Sequence, residues 1–341
     1  MQTVAGEIIK GGNMRVTIKE VAKLAGVSPS TVSRVLTDHP KISQATKDKV
    51  WKVMKELDYH PNVTARKLAT NATKTIGLVL PSDVKLLAEN PFFIQVLTGI
   101  TSYAQAKGYY ILLTNAETRE GEIEALNHLF RSNLIDGVIM TVVREADPCV
   151  EYLKANNHPY AVIGKPHDTD SALWVDNDNF QAMYEMVNYL LKQGNQKIAF
   201  IGGSNELTVT KNRKSGYEMA LTNRGIHLDE ALVRDVTFSE AAGYEAAQDL
   251  LNKVDIDAIA TTDDLIAVGA LQAIKDAGRD DIMITGFNNT PIGHYQDPPL
   301  LTVDINAVEL GHYAAKLLIE KLTNTGSGLN SYIVDTKLIK N

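Results

Sequence analysis

Ser30, Thr31, Ser33 and Arg34 lie in the run Ser28-Pro29-Ser30-Thr31-Val32-Ser33-Arg34-Val35-Leu36, off the face that Val32, Val35 and Leu36 would share on a helix. Small hydroxyl side chains let a backbone approach the DNA major groove, and a guanidinium can bond guanine O6 and N7 together. The chemistry offered there is base recognition. A second candidate is Asp263-Asp264, which could be drawn as a catalytic carboxylate pair. Neighbouring residues of a strand point to opposite faces, so the two are not expected to act on one bond. No G-x-x-x-x-G-K-[ST], H-E-x-x-H or G-x-S-x-G occurs, and no P-loop lysine follows Gly202-Gly203-Ser204. The single cysteine, Cys149, builds neither a disulfide framework nor a cysteine zinc site. The chain is therefore expected not to be an enzyme and to need no cofactor or metal.

The elements that would position the first group are short helices. Thr17-Ile18-Lys19-Glu20 fits a capping box, Val21, Leu24 and Ala25 supply an apolar face, and Gly26 suits the residue after a helix end. A second helix is expected to start with Ser28 as N-cap and Pro29 at its first position. A third starts at Ser43 and carries Val50, Val53, Met54 and Leu57 at helical spacing. Two short helices around a tight glycine turn, with a third as support, form a helix-turn-helix.

Charge divides the chain at the same place. Residues 15–75 hold 12 Lys and Arg against 5 Asp and Glu, whereas residues 76–341 hold 21 against 35. A basic module on an acidic body confines a polyanion contact to one end. At 341 residues and 44 % hydrophobic content the chain is expected to bury more than one domain core. No apolar run reaches the roughly 18 residues a membrane span needs, and MQTVAGEIIKGG has no apolar signal region. A cytoplasmic location without membrane contact is expected.

From Ile76 onward, apolar runs alternate with helical patterns. IGLVLP, YYILLTN, GVIMTVV and YAVIGK start at 76, 109, 137 and 160. KIAFIGG, VRDVTF, AIATTD and IMITGFN start at 197, 233, 258 and 282. Spacing of βαβ length predicts two Rossmann-like lobes with parallel sheets, and a ligand in the crevice beyond the strand C-termini.

VTIKEVAKLAGVSPSTVSRVL, then DYHPNVTARKLA and IGLVLP, closely resembles the N-terminus of the LacI/GalR family of bacterial transcription repressors over about 65 residues without a gap. The resemblance implies an α plus α/β architecture: a helix-turn-helix three-helix domain at 15–60, a hinge helix at 61–74, and two α/β lobes of periplasmic-binding-protein type at 75–341. Residues 1–14 are unlike the family and are expected to be an upstream extension or a cloning remnant, with Met14 as the expected native start. The first lobe is expected at about 75–176 and 306–325, the second at about 177–305 and 326–341. By position, Ser28, Pro29, Ser30, Thr31, Ser33 and Arg34 would read the operator, and Thr17, Thr37, Ser43 and Thr46 would hold phosphates. Asn62 lies in the hinge contact, and Leu68 matches the leucine that wedges into the minor groove.

In the body the resemblance implies effector contacts at Pro91 and Phe93, at Arg213, at Asp263 and at Asn288, with Trp174 near the cleft or in the core. Many relatives carry GFDD where this chain has Gly286-Phe287-Asn288-Asn289, and an amide donates as well as accepts. VIGKP at 162–166 with GFNNT at 286–290 looks most like the maltose-operon repressors of the family. The expected function is a homodimeric DNA-binding repressor of a near-palindromic operator, controlled by a small sugar such as maltose or maltodextrin. A leucine-zipper tetramerisation tail is not expected. Alternatives are a phosphoprotein or purine corepressor and, from another class, a sugar-binding transport or chemotaxis protein.

Overall fold

The computed structural model describes residues 16–59, 72–80, 89–116, 118–326 and 328–340. The chain divides into two compact units, one ending at Thr73 and one running from Lys74.

The first unit contains helices α1 (Ile18–Ala25), α2 (Pro29–Leu36) and α3 (Gln44–Glu56). Gly26 ends α1 at φ 61°, the left-handed conformation that glycine adopts without penalty. Val21, Ala22, Ala25, Val32, Val35, Val50, Val53, Met54 and Tyr59 form its core. Ala22 takes the inward position expected of Leu24, which is 39 % exposed. With α1 only eight residues long, the face that packs on α2 and α3 is set by Val21 and Ala25, four apart, and Ala22 shares it.

The second unit follows the order β1 (Thr75–Val79), α4 (Pro91–Ala106), β2 (Tyr110–Thr114), α5 (Arg119–Arg131), β3 (Gly137–Met140), α6 (Pro148–Ala155), β4 (Tyr160–Ile163) and β5 (Leu173–Asn177). It continues with α7 (Asn179–Lys192), β6 (Ile198–Gly202), α8 (Thr208–Thr222), β7 (Val233–Asp235), α9 (Glu240–Lys253), β8 (Ala258–Thr261), α10 (Asp264–Asp276) and β9 (Met283–Thr285). The chain closes with α11 (Pro291–His294), β10 (Thr302–Asp304), α12 (Ala307–Thr323), β11 (Ser331–Val334) and β12 (Lys337–Ile339). All eight strands expected from the apolar runs are present; β5, β10, β11 and β12 are additional.

One lobe is built on a six-stranded sheet in the order β11-β5-β4-β3-β1-β2, the other on a four-stranded sheet in the order β7-β6-β8-β9. Every pairing within these two sheets is parallel. Beside them β10 and β12 pair antiparallel. The expected lobe boundary is corrected at the C-terminal end. Residues 331–334 pair with β5 of the first lobe rather than joining the second, because α12 carries the chain back across that lobe before β11 begins.

Helix starts are fixed by local chemistry. The side chains of Asn90, Thr118, Asp147, Asp178, Ser239 and Asp263 each accept a backbone N–H in the first turn of the helix that follows. These caps place helix N-termini at the strand C-terminal ends of the sheets.

Candidate functional site

In the helical unit, Ser28 Oγ accepts the Thr31 N–H at 3.1 Å and lies 2.7 and 2.9 Å from the hydroxyls of Ser30 and Thr31. Burial of Val32 and Val35 turns the other face of α2 outward. Ser28, Pro29, Ser30 and Arg34 are exposed, and Thr31 and Ser33 are half-buried. The Arg34 guanidinium makes no hydrogen bond or ion pair with the described residues and is free to engage a base edge. Thr17, Ser28 and Ser43 each stand at a helix N-terminus. A helix N-terminus carries unpaired N–H groups and positive dipole, which suits a phosphate. The Glu20 carboxylate accepts from Thr17 N at 2.6 Å and from its Oγ1 at 3.0 Å, and these bonds hold Glu20 below the usual carboxylate range. Thr46 donates its N–H to Ser43 Oγ at 3.3 Å, and the Thr37 hydroxyl donates to the Arg34 carbonyl at 3.1 Å. Asn62, Leu68 and most of the hinge at 61–74 lie outside the described residues.

The second unit holds a cavity of about 520 Å³ whose walls come from both lobes. The size falls in the usual range for small-molecule sites, roughly 300–1,000 Å³. From the first lobe it takes residues beyond β1 (Asn90, Phe92, Phe93), β3 (Thr141 to Arg144), β4 (Gly164) and the end of β5 (Asp176, Asn177). From the second it takes residues beyond β6 (Ser204), β7 (Val236 to Phe238), β8 (Asp263) and β9 (Asn288), with Arg213 on α8. All the strand ends named are C-terminal, as parallel α/β sheets require of a ligand crevice.

Asp263 is the hub of one polar cluster. Its Oδ2 accepts from Asn288 Nδ2 at 2.8 Å and from Asn90 Nδ2 at 3.0 Å, and its Oδ1 accepts the Leu265 N–H at 2.7 Å. The adjacent Asp264 faces away, accepting from Thr290 N and Oγ1 at 2.6 and 2.8 Å and from Thr302 Oγ1 at 2.6 Å. The two carboxylates are therefore not a pair acting on one point: one meets the cavity and the other ties α10 to the segments after β9 and at β10. Burial pushes the Asp263 carboxyl up to about 7.

Arg213 is 5 % exposed and sits over the face of Phe287, its Cζ 3.6 Å from the ring centroid. Its Nε donates to Asn179 Oδ1 at 2.9 Å and its Nη1 to the Thr262 carbonyl at 2.6 Å, while Nη2 has no partner among the described residues. Asn179 in turn donates to Asp176 Oδ1 at 2.8 Å. Burial lowers the Arg213 pKa to about 10, against the opposing pull of Asp263, Asp176 and Asp264. The guanidinium is thus fixed in plane with one edge available, the geometry for bonding vicinal hydroxyls.

The lobes also touch around the cavity. Thr208 N donates to the Val143 carbonyl at 3.2 Å and Glu145 N to the Glu206 carbonyl at 3.3 Å. Arg144 and Leu207 form an isolated antiparallel bridge, and ion pairs join Arg119 to Glu206 and Lys211 to Glu145.

Phe93, Arg213, Asp263 and Asn288 all line the cavity. Pro91 does not: it occupies the first turn of α4, while its neighbours Asn90, Phe92 and Phe93 reach the wall. Trp174 is a core residue, 7 % exposed, with Nε1 donating to the Thr169 carbonyl at 3.3 Å. Sequence reasoning missed Asp176 and Asn179, which frame Arg213. The acid- and amide-rich run Asp176-Asn177-Asp178-Asn179 was the available signal, an unusual density of polar groups directly after an apolar stretch.

Residues 73–341 match the family described as periplasmic binding proteins and sugar binding domain of LacI family, and residues 17–62 match bacterial regulatory proteins, lacI family. The chain belongs to the LacI family. It is a helix-turn-helix transcriptional regulator joined to a sugar-binding domain of periplasmic-binding-protein type. Among LacI-family relatives, the HTH-type transcriptional regulator MalR of Streptococcus pneumoniae is 39 % identical over 312 residues, covering 90 % of this chain and 93 % of the relative. MalR of Staphylococcus xylosus is 33 % identical over 311 residues, covering 89 % and 90 %. The solved structure of a transcriptional regulator CelR–cellobiose complex aligns with a TM-score of 0.75 at 27 % identity, covering 96 % of this chain and 99 % of that one. No helix among the described residues is long and apolar enough to cross a membrane.

Proposed function

We propose that the protein represses transcription as a cytoplasmic homodimer on a near-palindromic operator and is released when a maltose-class sugar fills the cavity between its lobes. The observation that carries this reading is the Asn90–Asp263–Asn288 cluster, which joins the two lobes across the cavity through groups suited to sugar hydroxyls. Phe93 offers an aromatic face to a ring, and Arg213 a fixed donor edge. The similarity to two MalR proteins favours maltose as the effector.

On DNA, Ser28, Pro29, Ser30, Thr31, Ser33 and Arg34 read bases in the major groove. Thr17, Thr37, Ser43 and Thr46 hold phosphates, Asn62 adds a hinge contact, and Leu68 wedges into the minor groove at the operator centre. Each protomer presents one reading helix, so two-fold symmetry calls for two half-sites. A ligand that touches both lobes favours one inter-lobe angle by its differential affinity for the two arrangements. Through the hinge, that angle sets whether the paired Leu68 side chains insert.

The CelR–cellobiose complex favours a second reading of the effector, in which a β-linked disaccharide replaces maltose. The test is fluorescence anisotropy of labelled operator bound to the full chain, with glucose, maltose, maltotriose, cellobiose and purines added in turn. Release by maltose or maltotriose supports the proposal. Release by cellobiose alone selects the second reading, and tighter DNA binding with a purine rejects induction by sugar.

A further inference from the structure

The cavity wall carries a second polar cluster, and the hydrogen bonds within it do not connect to those of the first. Glu122, on α5, and Arg144, beyond β3, both line the cavity. The Glu122 side chain is 3 % exposed and that of Arg144 15 %. Arg144 Nη1 donates to Glu122 Oε2 and to Asp147 Oδ2, both at 3.3 Å, and its Nη2 donates to Glu122 Oε1 at 3.4 Å. Asp147 lies outside the wall of this cavity and holds the guanidinium from behind. Two buried carboxylates thus share one cation through bonds longer than the ~2.7–2.9 Å of well-made charge-assisted ones. Removing charge from water is expensive, and here the one guanidinium reaches both carboxylates only through long bonds, with Cys149 supplying the rest: its N–H donates to Asp147 Oδ1 at 2.9 Å and its Sγ to Glu122 Oε2 at 3.5 Å.

We propose that Glu122 and Arg144 form a second sugar subsite, so that the effector is an oligosaccharide of at least two rings. The proposal rests on the reading of the cavity as a sugar site. One ring engages Asp263, Asn288 and Arg213; hydroxyls of the next donate to Glu122 and accept from Arg144. A neutral polyol fits better than an ion. A bound cation would meet Arg144, and a bound anion would meet Glu122 with Asp147 behind it, whereas a hydroxyl donates to the one and accepts from the other without adding charge. The position also bears on closure. Arg144 bridges to Leu207 of the second lobe, and its neighbour Glu145 pairs with Lys211 of that lobe. A second ring therefore sits against the segment where the lobes clasp.

The test is calorimetric titration of the full chain with glucose, maltose and maltotriose, comparing wild type with Glu122→Gln and Arg144→Lys. Ligand-free melting is recorded for each variant. Wild type should bind maltose about tenfold or more tighter than glucose. Glu122→Gln should lose ~10-fold or more in maltose affinity, the scale of a lost hydrogen bond to a charged group. Its ligand-free melting temperature should stay level or rise, because the change leaves Asp147 and Arg144 as a balanced pair. Arg144→Lys, which keeps a cation between Glu122 and Asp147 but loses the two-pronged donor, gives the same reading should Glu122→Gln fail to fold. Glucose bound as tightly as maltose by wild type, or full maltose affinity in both variants, overturns the subsite while leaving the sugar reading intact. If no sugar binds wild type, the subsite falls together with that reading.

Discussion

Asn90 of the first lobe donates a 3.0 Å hydrogen bond to Asp263 of the second. The same Asn90 side chain accepts the Phe92 N–H at 3.1 Å and so starts α4. Asp263 likewise starts α10 through Leu265. Lobe orientation, two helix starts and the polar floor of the cavity thus meet in two side chains. A ligand hydroxyl at Asp263 must share or displace the bond that joins the lobes, which links occupancy to closure.

The buried Asp263 carboxyl gives a pH signature. Its pKa in the folded chain is about 7, raised from an ordinary 3.8 chiefly by burial. Between those values the folded state holds a proton that the unfolded state has released. Its stability contribution is therefore complete below about pH 4 and is lost as pH rises to about 7. Urea unfolding at several pH values from 5 to 8 should show stability falling with pH more steeply in wild type than in Asp263→Asn, which still caps α10. A difference curve that is flat or rises with pH would contradict the buried-carboxyl account.

Arg34 has no hydrogen-bond or ion-pair partner among the described residues, so its loss should act on DNA and not on folding. Arg34→Ala should weaken operator binding by about 1–3 kcal/mol, change binding to random DNA little, and leave melting unchanged. Equal losses on both DNAs in an anisotropy titration would make Arg34 a phosphate contact and remove it from the readers.

The first lobe depends on close backbone contact between α4 and α12. A Cβ built on Gly99 would stand 1.9 Å from the Val308 carbonyl oxygen, and one on Gly311 would stand 2.0 Å from that of Val96. The contacts are reciprocal, each glycine receiving the other helix. Gly99→Ala or Gly311→Ala should cost about 1–3 kcal/mol, the range for overpacking a tight core. Gly278→Ala, in open space at φ 64°, tests left-handed strain alone and should cost less. Urea midpoints that rank Gly278→Ala as the most damaging would refute this packing argument.

How much of this the sequence disclosed varied with how local each signal is. The start of α2 was legible because Ser28 and Pro29 encode it within two residues. The eight expected strands were legible because buried parallel strands read as continuous apolar runs. Strand β5 ends in Asp176 and Asn177, which serve the cavity, so only Leu173-Trp174-Val175 of it is apolar and no continuous apolar run marks it. Strands β10 and β12 pair antiparallel outside the two parallel sheets, so the βαβ spacing that marks the equally short β7 and β9 does not extend to them. Arg213 reads in KNRKSGY as a solvated basic run; only its seat on Phe287, 74 residues further along the chain, shows it to be buried. Glu122 and Arg144 belong to separate elements, and nothing in either segment announces the other.

The central claim is that sugar and operator compete through one conformational equilibrium. Maltose should be titrated calorimetrically into the full chain, alone and saturated with operator DNA, with Arg213→Ala as the binding-site control. Linkage requires that operator weaken maltose binding by the same factor that maltose weakens operator binding. The account predicts a reduced maltose affinity on DNA and no heat with Arg213→Ala. Maltose binding equally well with and without operator would contradict the account, leaving a sugar site with no control over DNA.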